Sequence, residues 1–194
     1  MANSKREEIY VSVDIEADGP VPGLYSMLSL AAVAYRAEGD PIAEFSANLE
    51  TLPEAGVHPE TARWWEQFPE AWAACREGTR EPQVVMPEFA EWVEALPGTA
   101  IFVGWPATWD FMWVYWYLIR YTGRRPFSEH GIDMRSYAMG MRRKDFRRAG
   151  KHYLPRRWFP EQAHTHVALD DAREQGALFM NMVRENLQGG KGGG

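Results

Sequence analysis

The chain reads as an α/β protein with one mixed five-stranded sheet, partly an antiparallel meander and partly parallel strands, flanked by helices. Three observations predict this. Ile9, Val11, Val13 and Ile15 alternate with Tyr10, Ser12, Asp14 and Glu16, the period-2 pattern of a strand. Two further strand-like runs follow, joined by short turns. After His58 the apolar spacing becomes helical, and short apolar runs then alternate with helical stretches. That order fits one sheet covered by helices.

Strand one covers about 8–15. Gly19-Pro20-Val21-Pro22-Gly23 is a loop. Residues 26–36 suit a second strand, although their alanines also suit a helix. Gly39-Asp40-Pro41 is a turn, and Ile42 to Leu49 alternates as a third strand. His58-Pro59 opens a helical stretch carrying Trp64, Trp65, Phe68 and Trp72, which Pro69 divides in two. A helix over 84–95 turns Phe89, Trp92, Val93 and Leu96 inward. Ala100 to Gly104 is a continuous apolar run, consistent with a buried strand. A helix from Trp109 to Tyr121 is apolar nearly all round, which predicts burial, and Gly123 ends it. Ile132 to Met134 forms a short strand leading into a helix at 134–141. The basic stretch 142–160, broken by Pro155 and Pro160, reads as loop. The last helix runs about 167–187. Residues 1–188 form one domain on this reading, and the Gly-rich segment 189–194 is a flexible tail.

The totals narrow the class. With 194 residues, 45% of them hydrophobic, the chain can bury a substantial core. Its one cysteine, Cys75, rules out a disulfide framework or a cysteine-based zinc cluster and suits a reducing compartment. The polar stretch from Met1 to Glu8 has no signal-peptide core. The longest apolar run, Trp109 to Ile119, is too short to span a bilayer. A cytoplasmic protein that does not engage membranes is expected. The net charge of −6 argues against a general polyanion binder, but it is unevenly spread. Twelve of the 21 lysines and arginines fall between Arg120 and Arg157, opposed there only by Glu129, Asp133 and Asp145. That segment carries +9 and leaves −15 for the rest, a basic patch beside acidic chemistry.

Asp14 and Glu16 leave the same side of strand one, about 7 Å apart at the backbone. Burying such a pair is costly unless a positive charge lies between them. Asp110 follows the strand at 100–104, and Asp171 stands at the front of the last helix. Four carboxylates so placed could hold two Mg²⁺ or Mn²⁺ ions, hard cations that take oxygen ligands. Two ions roughly 4 Å apart suit in-line phosphoryl displacement. His166 precedes Asp171 by five residues, about 140° net around a helix, so the two cannot share a helical face. His166 must therefore arch over the site from a loop, where it can take a proton from an attacking water. His164 is a poorer candidate base, and Asp170 suits the positive end of the helix dipole. Trp105 and Trp109, near the acids, are candidates for stacking on a base.

Asp14-Ile-Glu16, the mid-chain Asp110 and His166-Val-Ala-Leu-Asp-Asp171-Ala resemble, in order, the three motifs of the DEDDh 3′–5′ exonucleases. These are the relatives of ribonuclease T, oligoribonuclease and proofreading exonucleases, with a ribonuclease H-like fold. The resemblance implies Asp14, Glu16, Asp110 and Asp171 as metal ligands, His166 as general base, and release of nucleoside 5′-monophosphates from single-stranded RNA or DNA 3′ ends. Members commonly carry a threonine pair where this chain has Ala17-Asp18, and His-Asn where it has Trp105-Pro106. Those departures fall on residues that would hold the terminal nucleotide. Analogy with small RNA-trimming members leans the expectation towards RNA, and many members form homodimers. An idle nucleic-acid-binding module on the same scaffold, or a proofreading or maturation subunit of a larger assembly, are the alternatives.

Overall fold

The computed structural model describes residues 7–161 and 165–189. His164, the polar first residues and nearly all of the Gly-rich tail lie outside them.

One five-stranded sheet in the order β3-β2-β1-β4-β5 organises the chain. β1 (Glu8–Ala17) pairs antiparallel with β2 (Met27–Tyr35), and β2 antiparallel with β3 (Pro41–Asn48). β4 (Thr99–Gly104) and β5 (Gly131–Asp133) add parallel to the other edge of β1. The meander and the parallel half are as expected. β2 is buried along its whole length, which explains its lack of polar alternation: a central strand covered on both faces has none to show.

Among the described residues six α-helices accompany the sheet: α1 (Pro59–Trp65), α2 (Pro69–Arg76), α3 (Pro82–Glu94), α4 (Ala107–Thr122), α5 (Met134–Arg142) and α6 (Ala168–Gly189). Proline opens α1, α2 and α3, where its missing N–H has no helical partner to lose. Gly123, at φ 65°, closes α4 in the left-handed conformation that glycine adopts freely. α4 begins two residues earlier than its periodicity predicts, because the Ala107 N–H donates to the Asp133 carboxylate at 3.2 Å.

The period of β1 sorts the core. Val11, Val13 and Ile15 face one cluster with Phe89 of α3 and Trp113 and Tyr117 of α4. Ala31, Val33, Val103, Phe179 and Met182 build a second cluster with α5 and α6. α4 is less buried than its composition predicts. Trp113 and Tyr117 are fully enclosed, but Ile119 is 43% exposed and Phe111, Tyr115 and Trp116 are only partly covered. The basic stretch is also not a plain loop. Three short 3-10 turns run through 146–158, pinned by buried Ala149, Leu154 and Trp158, and the Trp158 indole donates to Glu185 at 2.6 Å.

Candidate active site

The carboxyl-terminal ends of β1 and β4 lie side by side, the usual place for a site in such a sheet. Asp14 and Glu16 project there from β1 on the α6 side. Asp110, in the first turn of α4, and Asp171, in the first turn of α6, are 3% and 2% exposed. All four acids interact electrostatically. Burial holds Asp14 well above the usual carboxylate range, and the charges of Asp110, Glu16 and Asp171 push it further. Burial, then Asp171 and Asp110, lifts Glu16 to about 9. Burial lifts Asp110 to about 8, against the pull of backbone N–H groups of Ile15, Asp110 and Trp105.

Two local features show a site shaped around its acids. Asp110 Oδ2 is buried and has no hydrogen-bond partner. A Cβ built on Gly104, the last residue of β4, would lie 2.9 Å from that oxygen, so only glycine leaves the carboxylate its room. An orphaned buried oxygen among like charges is what a cation would satisfy. Glu16, His166 and Asp171 can also each offer a ligand atom within 4.8 Å of the other two. The acidic set therefore fits a divalent metal.

Asp171 is fixed from before its own helix. Its Oδ1 accepts the Thr165 N–H at 2.8 Å and its Oδ2 the His166 N–H at 2.9 Å. These bonds hold His166 at φ 59°, a strained backbone for a residue with a Cβ, two positions ahead of α6. The histidine thus sits in the loop that its spacing predicts. Its ring packs nearly perpendicular to Trp64, with centroids 5.1 Å apart, and 4.4 Å from Phe68. In the sequence Trp64 and Phe68 show only helical spacing; here they pack against the histidine.

The residues proposed to hold substrate separate. Trp109 and Ala17 line a cavity of about 470 Å³ with Glu16, His58, Thr61 and Trp64. Trp105 instead joins the second cluster, with the Lys151 ammonium 5.9 Å from its ring. Asp18 turns inward, 1% exposed, and accepts the Ser26 N–H at 2.5 Å. In the sequence His58 is only the residue before Pro59, where the helical stretch opens. It precedes α1, its ring edge-on to Tyr25 at 5.5 Å, and it forms part of the cavity wall. No local pattern marks a residue that reaches the cavity wall only because α1 starts beside the end of β1, where the His58 N–H donates to the Asp18 carbonyl oxygen.

No protein-family model matches the chain. An Escherichia coli protein, the 3′–5′ DNA exonuclease Cap18, is 32% identical over 177 residues, spanning 89% of this chain and 90% of that protein. Among solved structures, the nuclease domain of 3′hExo, a DEDDh family member bound to rAMP, aligns over 95% of both chains with a TM-score of 0.69 at 10% identity. E. coli exonuclease I in complex with a dA16 oligonucleotide aligns over 94% of this chain and 42% of that one, with a TM-score of 0.64 at 12% identity. At these identities the structural likeness is one of fold, the ribonuclease H-like fold.

Proposed function

The chain belongs to the DEDDh 3′–5′ exonucleases, and from that premise we propose that it shortens single-stranded DNA from its 3′ end, releasing nucleoside 5′-monophosphates. The observation that carries the reading is the convergence of Asp14, Glu16, Asp110 and Asp171 beside His166. Asp14, Glu16, Asp110 and Asp171 would hold two divalent cations, Mg²⁺ or Mn²⁺, which would supply charge neutralisation for the phosphoryl displacement. The protein's own residues do the rest. The cavity walled by Trp64, Trp109, His58 and Thr61 takes the terminal nucleoside, with Trp109 stacking on its base. His166, steadied by Trp64 and Phe68, takes the proton from the attacking water. Water oxygen bonds to phosphorus as the bond to the upstream 3′ oxygen breaks, leaving a 3′-hydroxyl on the shortened strand.

DNA is favoured over the RNA suggested by size alone. The 32% identical relative carries the name of a DNA exonuclease. Ala17 and the inward Asp18 also offer a sugar no side-chain hydrogen-bonding group. The free, buried thiol of Cys75 suits a reducing compartment, and we place the protein in the cytoplasm. Among the described residues no helix is long and apolar enough to cross a membrane. The test is digestion of matched 5′-labelled DNA and RNA oligonucleotides with Mg²⁺ or Mn²⁺. A ladder shortening from the 3′ end, faster on DNA and stopped by EDTA and by Asp14→Ala, is expected. Binding without cleavage under every metal would replace this reading with that of an idle binding module.

A further inference from the structure

The positive charge of the stretch from Arg120 to Arg157 is not evenly available. Arg120 pairs with Glu54, Arg124 with Glu94, Arg125 with Glu129 and Arg157 with Glu185. Among the described residues, exposed Arg143, Lys144, Arg147 and Arg156 enter no ion pair, so the free charge gathers around the 3-10 turns. Lys151, within those turns, stands close enough to the acids for its charge to register at Asp14. Its ammonium lies 2.7 Å from Glu174 Oε2. The Glu174 side chain is 6% exposed, against 33% for Lys151. Glu174 stands three residues after Asp171 on α6, so the two acids share a helical face. Trp105, directly after β4, presents its ring to the same ammonium. The lysine is thus tethered at the rim of the acidic site, with donors left over beyond the one engaged by Glu174.

Its side of the site matters. The cavity walled by Trp64 and Trp109 opens beside the first core cluster, and Lys151 and Trp105 stand by the second, across the end of the sheet. A strand whose last nucleoside fills the cavity crosses the acids and leaves towards Lys151. We propose that Lys151 contacts the phosphate next upstream of the scissile one, and that the basic turns behind it carry the strand. This rests on the exonuclease reading above. Glu174 is the positioning residue that holds the ammonium there.

The test compares a single-stranded DNA oligonucleotide with p-nitrophenyl thymidine 5′-monophosphate, which has the scissile bond but no upstream phosphate. Lys151→Met is expected to raise KM about tenfold on the oligonucleotide alone, the scale of one charge-assisted contact. The slope of log(kcat/KM) against log salt should flatten by about 0.7, the share of one phosphate contact on a single strand. Lys151→Arg should retain most of both. Glu174→Gln should raise the oligonucleotide KM by less, and add nothing in the Lys151→Met background. An equal loss on both substrates, or none on the oligonucleotide, overturns the proposal. If wild type turned over neither substrate, the exonuclease reading would fail. Anisotropy of a labelled strand in Ca²⁺ would still decide the contact: weaker, less salt-dependent binding by Lys151→Met supports it, and unchanged binding overturns it.

Discussion

Replacing Gly104 with alanine perturbs the site without touching any of its acids. The new Cβ would lie 2.9 Å from both the Ala107 Cα and Asp110 Oδ2, where ordinary contacts begin at 3.4 Å. About 0.5 Å or more must open between β4 and the first turn of α4. The Ala107 contact is backbone, so the helix start moves as a unit and takes Asp110 with it. The Asp133 bond to the Ala107 N–H resists that movement. Overpacking of this kind costs about 1–3 kcal/mol. For a chain of this length that lowers the melting temperature by roughly 2–4 °C per kcal/mol. A misplacement approaching 1 Å at a reacting centre costs on the order of a hundredfold in rate. Gly104→Ala should therefore cut exonuclease turnover about ten- to a hundredfold at temperatures where the protein is folded, and shift half-activation to higher Mn²⁺ concentration. Gly140, inside α5 with open space around it, is the control. Gly140→Ala should leave turnover unchanged and stabilise the fold by up to about 1 kcal/mol. Wild-type turnover and metal dependence in Gly104→Ala would refute the reasoning, since Asp110 would then tolerate the crowding or do no work.

Three further outcomes are expected. His166→Ala should lower kcat on the order of a hundredfold or more while metal binding is largely kept, because the backbone N–H bonds of Thr165 and His166 to Asp171 survive the substitution; a matching fall in metal affinity would make the ring a ligand instead. Trp109→Ala should raise KM roughly tenfold or more with little change in kcat, the value of one stacked base; an unchanged KM would remove Trp109 from the nucleoside pocket. Without metal, Glu16 and Asp110 keep protons to about pH 9 and 8 in the folded protein, against ordinary values of 4.5 and 3.8. The fold binds more protons than the unfolded chain between these limits. The contribution of these two acids to stability is then full below about pH 4 and falls as pH rises, by about 1.4 kcal/mol per pH unit for each retained proton. Denaturant unfolding in EDTA across pH 5–8 reads that slope, which saturating Mn²⁺ should flatten; a pH-independent midpoint in EDTA would contradict the burial of these acids.

What could be read in advance follows from the range of the interactions involved. Period-2 alternation is local, so β1 and the shared side of Asp14 and Glu16 were legible, and the five-residue gap from His166 to Asp171 placed the histidine ahead of its helix. Contacts between distant elements leave no such trace. Nothing near Ala107 tells that Asp133, 26 residues on, will start α4 early. Trp64 and Phe68 show only helical spacing and become the seat of His166 because α1 and the start of α2 pack beside the loop ahead of α6. The apolar circumference of α4 implied full burial, but the sheet and α3 cover only part of it, and Ile119 stays outside. Composition also hid the order within the basic stretch, where Trp158 and its bond to Glu185 hold the turns that carry Lys151.

Calorimetric titration of the metal-free protein with Mn²⁺ reaches the centre of the account most directly. It should show two ions bound, with proton release that makes the heat depend on the buffer, because Glu16 and Asp110 must ionise to bind. Asp14→Ala and Asp171→Asn should each weaken or remove that binding. Absence of binding in the wild type, or binding that both substitutions leave intact, would contradict it.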